Sequence, residues 1–348
     1  MIAENDKVVK RPDGRYDNVD FTKAAGFKLP TAKASYLRRD VLLFVCSRLI
    51  HPTSVAHELT LMQANAIGCT KDELHFLYEL HPNFSCFPTF PMNLPFKQTD
   101  QDVYDFFERA LVTDVPGVPP FNPKRSVDGE RGIEILHPIP TSSEGLDLEI
   151  VPEIVGVYDK GGNMIQEMVQ SIMDTTTGTV YAKITSKAFG IGQGGYGGPK
   201  GPSTMTYTPP DRAPDAVHTF QTTPETCLLY RLCGDYNPIH ADDAFAQEGG
   251  FKGAFLQGLG TWNIAAHGLL RELGGSEAGR LRSFKARFAA IVYPGDELET
   301  RMWLGREKQI EGRLAREVVF VTVVKGDGRV VLSNGVAEIW GKGVGSKL

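Results

Sequence analysis

The sequence has no apolar run long enough to cross a membrane, which takes about 20 residues. Its best candidate, residues 41–50, is interrupted by Arg48. Basic residues are not in excess either, since the formal net charge of the 348 residues is −5, which offers no field for nucleic acid or an anionic membrane. Residues 1–15 are charged and lack the apolar segment of a secretory signal. The composition therefore predicts a soluble globular protein with neither a nucleic-acid nor a membrane partner.

Cysteines are few and scattered, at positions 46, 69, 86, 227 and 233, and no two of them form a C-x-x-C pair. An odd, dispersed set argues against a disulfide framework and a structural zinc site, and it suits a reducing compartment. Cys233 precedes His240 by seven residues, so a Cys–His nucleophile is one interpretation of this region. We give it less weight, because the acid, amide and imidazole side chains beside it explain the local chemistry without a thiol.

The chain ends in Ser346, Lys347 and Leu348, the tripeptide that the peroxisomal import receptor reads from an exposed C-terminus. The alternative is a polar tail that spells this address by accident. Glycines at positions 341, 343 and 345 would keep the tail accessible. We therefore predict a peroxisomal location.

Hydrophobic periodicity predicts the same order of elements in both halves of the chain. In the first half, helices are predicted over residues 36–50 and 99–111, and strands over residues 132–137, 146–158, 165–174 and 179–189. In the second half, a helix over residues 259–273 precedes strands over residues 283–292, 297–304, 317–324 and 330–340. A helix and then four strands, twice over, predicts a duplicated α+β unit in which an antiparallel sheet wraps one helix.

Composition divides the chain into five segments. An N-terminal arm over residues 1–30, either a strap or disordered, precedes the first unit at 31–189. A glycine- and proline-rich connection over 190–222 leads to the second unit at 223–343, and the targeting tail covers 344–348. The connection contains G-I-G-Q-G-G at residues 190–195, formally a dinucleotide-binding fingerprint. That fingerprint requires a helix directly after it, whereas Y-G-G-P follows here, so we predict a loop.

One segment of the second half concentrates acid, amide and imidazole groups, namely Asp235, Asn237 and His240. Gly234 permits positive φ, and Pro238 disfavours helix at the residue before it, so these side chains lie on irregular backbone. An acid and an imidazole held close together can share one water and move its proton. The alternative is an Asx turn in which Asp235 only caps the backbone.

Gly258 lies at the start of the second-half helix, where backbone N–H groups lack helical partners and the helix dipole is positive. Such an N–H can hold a carbonyl oxygen that gains negative charge. The alternative is a glycine that merely allows close packing. A carbonyl at Gly258 and a water on Asp235 and His240 predict addition of water across a double bond conjugated to that carbonyl, or the reverse, without metal or organic cofactor.

A metal site built on His240, Asp242 and Asp243 is the alternative for the residues that follow this segment. No further histidine or cysteine stands at ligand spacing, so we predict no metal there. Asp242 and Asp243 are instead expected to stabilise the N-terminus of the next helix.

The sequence Y-R-L-C-G-D-Y-N-P-I-H over residues 230–240 resembles the signature of the MaoC-like, (R)-specific enoyl-CoA hydratases. It is most similar to the type-2 enoyl-CoA hydratase of peroxisomal multifunctional β-oxidation enzymes. Further motifs follow the same pattern in order: Y-L-R-R-D-V-L-L-F (36–44), L-Y-E (77–79), F-P-T-F (87–90), Y-D-K-G (158–161), G-G-Y-G-G (194–198), R-A-P-D (212–215) and Y-P-G-D (293–296).

The resemblance implies a double hotdog fold and the reversible hydration of trans-2-enoyl-CoA to (3R)-3-hydroxyacyl-CoA. It implies that Asp235 and His240 act on one water, that Asn237 orients them, and that the Gly258 N–H binds the thioester oxygen. The first half makes room for the acyl chain, and the substrate itself carries the coenzyme A. Substrate contacts are implied at Asp128, Gly129, Lys160, Tyr236, Pro238, Ile239 and Phe288. A homodimer is implied as well.

Two departures from the family pattern keep alternatives open. Gln257 stands where the family commonly has His, and Lys252-Gly253-Ala254 replaces an apolar approach to the helix. A dehydratase acting on a specialised acyl- or polyketide-derived CoA thioester is therefore a second hypothesis. A non-catalytic acyl-CoA-binding protein is a third, which the intact Asp235, Asn237 and His240 disfavour.

Overall fold

The computed structural model describes residues 7–45, 66–99 and 114–341. The strands in these ranges are, in chain order, β1 (Val9–Lys10), β2 (Tyr16–Asp17), β3 (Ala32–Lys33), β4 (Ser126–Ile135), β5 (Leu148–Asp159), β6 (Met164–Asp174), β7 (Thr179–Gly190), β8 (Ala216–Gln221), β9 (Leu281–Phe288), β10 (Glu297–Ile310), β11 (Arg313–Val324) and β12 (Val330–Trp340). Ten of them form one antiparallel sheet in the order β3-β5-β6-β7-β4-β9-β12-β11-β10-β8.

The helices in the same ranges are α1 (Arg38–Val45), α2 (Leu74–Leu77), α3 (Leu94–Lys97), α4 (Pro224–Arg231), α5 (Asp243–Glu248) and α6 (Gly258–Gly274). The longest, α6, is buried along nearly its whole length and packs against β8, β9, β10 and β12. It ends where Gly275 adopts the left-handed conformation, with φ of 63°. Among the described residues, no helix has both the length and the apolar character needed to span a bilayer.

The strand order shows the predicted duplication. Reading outward from the middle of the sheet, β4-β7-β6-β5-β3 in the first half corresponds to β9-β12-β11-β10-β8 in the second. In the second half this sheet wraps α6, so the α+β class is confirmed. Each unit has five strands rather than the predicted four, because β3 and β8 add an edge strand to each half.

Several predicted boundaries were wrong. Strand β8 lies inside the predicted connection 190–222, and it was missed because it is a short edge strand after a proline-rich run. Helix α4 was also missed. The first predicted strand begins at Ser126, six residues earlier than expected. The helix predicted over 36–50 corresponds to α1, while residues 46–50 and nearly all of the helix predicted over 99–111 lie outside the described residues.

The described part of the N-terminal arm is a strap. It contains the β1–β2 hairpin, and Ala24 joins a small second core with Ile154, Met164 and Tyr196. Phe27 and Leu29 pack against the same cluster. The arm therefore covers part of the first-half sheet instead of hanging free.

The two halves join where β4 pairs with β9, from Glu130 opposite Arg287 to Glu134 opposite Ser283; we call this pairing the seam. Glu130 is only 3% exposed. Its carboxylate lies 2.8 Å from Lys285, 3.0 Å from Arg287 and 3.2 Å from Lys187. Burial raises the pKa of Glu130, but these cations more than offset it, so the pKa lies below its usual range and the group stays charged.

A second buried contact between the halves lies near the C-terminal end of α6. Glu73, just before α2, accepts hydrogen bonds from His267 at 3.0 Å, Arg271 at 3.1 Å and Ser276 at 2.6 Å. Burial opposes ionisation, but the hydrogen bond and charge of His267 help to lower the pKa of Glu73 to about 2. The segment around α2 is therefore fixed to α6 by hydrogen bonds and ion pairs to the buried carboxylate of Glu73.

The G-x-G-x-x-G loop binds the protein's own carboxylate. Asp159 accepts hydrogen bonds from the backbone N–H groups of Gly161 and Gly195 at 2.9 Å and of Gly197 at 2.8 Å. No helix occurs over the described residues 191–215, so the prediction of a loop is confirmed. Burial raises the pKa of Asp159, but the hydrogen bonds from these N–H groups lower it by a larger amount. The pKa therefore lies below its usual range.

Replacing this carboxylate should destabilise the loop. We expect Asp159→Ala to lower the free energy of unfolding by about 1–3 kcal/mol at neutral pH, because three backbone N–H groups lose the acceptor that holds the loop together. The difference should shrink as the pH falls from about 3.9, the pKa of an Asp in the unfolded chain, down through the lower pKa of Asp159 in the folded protein, where the carboxylate itself becomes protonated. Denaturant unfolding measures it. The matched control is Asp211→Ala on the same connection, since Asp211 is exposed; equal losses in both variants would contradict the assignment.

Candidate active site

The segment singled out from the sequence connects α4 to α5 as an irregular loop. Gly234 has φ of 127°, and a Cβ built on it would lie 2.8 Å from the backbone nitrogen of Lys97. Only glycine fits both the conformation and the close approach to α3. Residues 238–240 then form a single 3-10 turn, with Pro238 in its first position. The predicted irregular backbone is confirmed, and the contact with Lys97 fixes its position.

Asp235 and Asn237 shape this loop through their side chains. Asn237 Oδ1 accepts a hydrogen bond from the N–H of Ile239 at 3.2 Å and so caps the 3-10 turn. Asp235 Oδ1 accepts one from the N–H of Asn237 at 3.4 Å. The turn interpretation is thus correct for one carboxylate oxygen. The other, Oδ2, faces His240 Nε2 across 3.9 Å, so the turn and the acid–imidazole pair coexist.

A backbone carbonyl fixes the tautomer of His240. Its Nδ1 lies 2.8 Å from the carbonyl oxygen of Phe255, which can only accept, so Nδ1 carries the proton. The Phe255 ring also packs edge-on against the imidazole at 4.9 Å. Nε2 is therefore left with a lone pair directed to the side where Asp235 lies.

Burial shifts both groups toward their uncharged forms. His240 is 8% exposed, and burial lowers its pKa below the usual range, although the carboxylate of Asp235 acts in the opposite direction. Burial raises the pKa of Asp235, against the influence of His240. Near neutral pH the imidazole is thus a neutral base and the carboxylate is a stronger base than an exposed one. A water oxygen about 2.8 Å from each group would fit between Nε2 and Oδ2.

Gly258 is the first residue of α6, as predicted, so its N–H has no partner within the helix. The ring of Phe288, at the end of β9, would lie 3.3 Å from a Cβ on Gly258. The close packing that was the alternative interpretation of this glycine is therefore present. Gln257, the residue before it, is fully buried and donates a hydrogen bond from Nε2 to the carbonyl of Cys227 at 3.1 Å.

A cavity of about 480 Å³ opens beside the loop, lined by Gly234 and Tyr236 on one side and by the first-half sheet on the other. Asp128 lies in its wall and pairs with Arg131 at 2.6 Å. The charges of both act on the pKa of Asp235. The sequence did not single out Arg131, because the strand that carries it was predicted to begin one residue later.

Of the other predicted substrate contacts, some lie in or beside the loop between α4 and α5 and others do not. Gly129 sits at a bulge in β4, where a Cβ would lie 2.1 Å from the ring of Phe189. Pro238 and Ile239 form the 3-10 turn itself. Lys160 lies in the turn after β5 and donates a hydrogen bond to the carbonyl of Lys200. Among the described residues, it makes no hydrogen bond to the loop between α4 and α5. The targeting residues Ser346, Lys347 and Leu348 lie outside the described residues.

The thiol and metal alternatives lose support. Burial raises the pKa of Cys233, which disfavours a thiolate. Asp242 caps α5 by accepting from the N–H groups of Ala244 at 2.8 Å and Phe245 at 3.2 Å, as predicted. Asp243 accepts from the N–H of Ala254 at 2.8 Å. Both acids thus have structural roles.

The coupling between Asp235 and His240 can be measured directly. We expect NMR titration of the imidazole to give His240 a pKa below about 6.5. In Asp235→Asn it should fall further, because the carboxylate that favours the charged imidazole is gone. Asp211→Asn changes the net charge equally at a distant site and is the control. A pKa of His240 that rises in Asp235→Asn would contradict the geometry.

Comparison with known proteins places both halves of the chain. Residues 206–325 match the family model described as MaoC like domain. Residues 54–192 match the model described as MFE-2 hydratase 2 N-terminal domain. The gap between the two matched ranges, residues 193–205, lies within the glycine- and proline-rich connection.

Individual relatives extend the likeness over nearly the whole chain. A protein of Ajellomyces capsulatus named "Probable dehydratase NIT22" is 42% identical over 323 residues, covering 89% of this chain and 80% of that protein. One of Dictyostelium discoideum named "Probable enoyl-CoA hydratase 2" is 32% identical, with 92% and 97% covered. The crystal structure of a MaoC-like dehydratase from Phytophthora capsici superposes with a TM-score of 0.75 at 32% identity, covering 93% and 98%. With the ten-stranded sheet, this likeness confirms the double hotdog fold.

Proposed function

Because the chain belongs to the MaoC-like hydratase and dehydratase family, as its motifs predicted, we propose that it hydrates trans-2-enoyl-CoA reversibly to (3R)-3-hydroxyacyl-CoA. The observation that carries the proposal is the 3.9 Å separation of Asp235 Oδ2 and His240 Nε2. Two buried bases at this spacing can hold one water between them. The family supports the hydratase and dehydratase chemistry, and the relative named enoyl-CoA hydratase 2 supports the substrate class.

The proposed step uses the two bases to hold and deprotonate one water. The water donates hydrogen bonds to His240 Nε2 and Asp235 Oδ2, and its oxygen attacks the β-carbon of the enoyl thioester. One base takes the proton as the new C–O bond forms, and the electron pair of the double bond moves to the thioester oxygen. The proton then passes to the α-carbon, which restores the carbonyl. Dehydration is the same sequence reversed.

In this mechanism, the backbone N–H of Gly258 stabilises the charge that develops on the substrate. The negative charge that develops on the thioester oxygen is stabilised by an N–H at the positive end of α6, the longest helix among the described residues. The Phe288 ring packs at this position and excludes water from one side. This chemistry uses protein groups and the substrate's own coenzyme A, so the proposal includes no cofactor or metal.

The cavity beside the loop supports the proposal that the second half carries the reacting groups and the first half accommodates the acyl chain. Its walls come mainly from the first-half sheet, and Gly234 and Tyr236 connect it to the residues that flank Asp235. An acyl chain whose thioester lies at Gly258 would extend into it. The second hypothesis, a dehydratase for a specialised acyl thioester, uses the same site in reverse and is favoured by the polar part of this cavity. A non-catalytic acyl-CoA-binding protein would not need the hydrogen bond from His240 to the carbonyl of Phe255, which fixes the tautomer of the imidazole.

Loss of either base should abolish turnover. We expect Asp235→Asn and His240→Gln each to lower kcat/KM for crotonyl-CoA by about 10²-fold or more, because each removes one proton acceptor from the water. Absorbance of the conjugated thioester measures the rate, thermal unfolding checks the fold, and Asp211→Asn is the control.

Coupling the product to (R)- and (S)-specific hydroxyacyl-CoA dehydrogenases reports the stereochemistry, for which we expect only the (R) enzyme to respond. Full activity in both variants would contradict the mechanism. A folded wild-type protein that turns over no simple enoyl-CoA would favour the specialised dehydratase.

We also propose a peroxisomal location, supported by the C-terminal Ser346, Lys347 and Leu348. A fluorescent protein fused to the N-terminus should colocalise with a peroxisomal marker. Deleting residues 346–348 should leave the fusion in the cytosol, because the import receptor then has no signal to bind. Colocalisation that persists after the deletion would show that the tail is not the address.

A further inference from the structure

The cavity wall contains polar side chains that have no hydrogen-bonding partner, and we infer that the acyl group of the natural substrate carries a hydroxyl or similar group that pairs with them. The enzyme would then act on oxygenated acyl-CoA thioesters rather than plain hydrocarbon chains. This inference rests on the proposed function, since it concerns the acyl chain of the same thioester.

The groups in question are Gln166, Gln170 and Ser186, all in the cavity wall. Gln170 is 8% exposed and Ser186 is 6% exposed. The carboxamide oxygen of Gln170 is buried without a hydrogen-bond partner. The other two side chains likewise show no hydrogen bond to any residue in the described ranges. A buried amide oxygen without a partner, as in Gln170, is rare in folded proteins because it destabilises the structure.

Strand register places the three side chains together. Gln166, Met168 and Gln170 alternate along β6 and so share one face. Ser186 on β7 pairs with Met168. It is therefore diagonal to both glutamines, at a distance that long side chains span. The three form one polar patch on the sheet, and Ile150, Ala188, Phe96 and Phe121 supply apolar wall around it.

A hydrocarbon chain cannot satisfy this patch. It would displace water from the cavity and leave two carboxamides and a hydroxyl desolvated, which opposes binding. A chain with a hydroxyl at the right depth gives each glutamine a partner, since a carboxamide offers a donor and an acceptor and a hydroxyl is both. Sites that bind a substrate hydroxyl in this way discriminate strongly against analogues that lack it.

The test compares matched thioesters on the wild-type protein. The probes are trans-2-decenoyl-CoA and two analogues that carry one hydroxyl, either midway along the chain or at its end. Hydration gives kcat/KM, and calorimetry with the corresponding saturated acyl-CoAs gives Kd without turnover. We expect at least one hydroxylated probe to be preferred by about tenfold or more in both measurements.

Substitution within the polar patch should abolish the preference. In Gln170→Leu the ratio of hydroxylated to plain probe should fall toward one, because the unpaired amide is replaced by an apolar surface of similar size. Ser186→Ala is a milder second variant of the same patch and should lower the ratio in the same direction. Ser171→Ala removes a hydroxyl from β6 on the opposite face of the sheet and should leave the ratio unchanged.

The outcomes separate this inference from the proposed reaction. Equal or weaker use of every hydroxylated probe, by an enzyme that hydrates crotonyl-CoA, would overturn the inference and leave the reaction standing. A tighter Kd for a hydroxylated acyl-CoA without any turnover would support the acyl class and overturn the reaction.

Discussion

The structure depends on the pairing of β4 with β9, because this one ladder turns two sheets into one. Glu130 sits in it almost fully buried, with Lys187, Lys285 and Arg287 around its carboxylate. Removing one partner from a buried charged cluster leaves the others uncompensated, which costs more than the net stabilisation from the intact cluster. The cluster therefore acts chiefly to fix the register of the seam.

The seam also sets the geometry of the site. Strand β4 carries Asp128 and Arg131 in the cavity wall, and β9 ends at Phe288 against Gly258. A shift of one residue in their register would turn every one of these side chains to the opposite face. The first half thus supplies most of the cavity wall, and the second half supplies Asp235 and His240. Their relative position follows from the seam and from the Glu73 cluster at the other end of α6.

Most of the site could be predicted from the sequence because its chemistry is local. Asp235, Asn237 and His240 lie within six positions, and Gly234 and Pro238 mark the irregular backbone between helices. Gly258 followed from the helix start. Arg131 and the polar cavity patch could not be found in this way. Their meaning depends on which strand face is turned toward the chamber, and a strand with two partly buried faces has no distinguishing periodicity.

The sequence by itself determined the class of fold and the family, and it singled out the candidate site residues Asp235, Asn237 and His240, since these rest on periodicity, glycine and proline positions and closely spaced side chains. Tertiary structure alone decided that Phe255 holds the imidazole tautomer, that the glycine-rich loop encloses Asp159 instead of a phosphate, and that two glutamines meet a serine in the chamber. The first two of these arrangements are hydrogen bonds, and the third is a shared face of the sheet; all three bring together residues that are well separated in the chain, so each exists only once the backbone between them has folded.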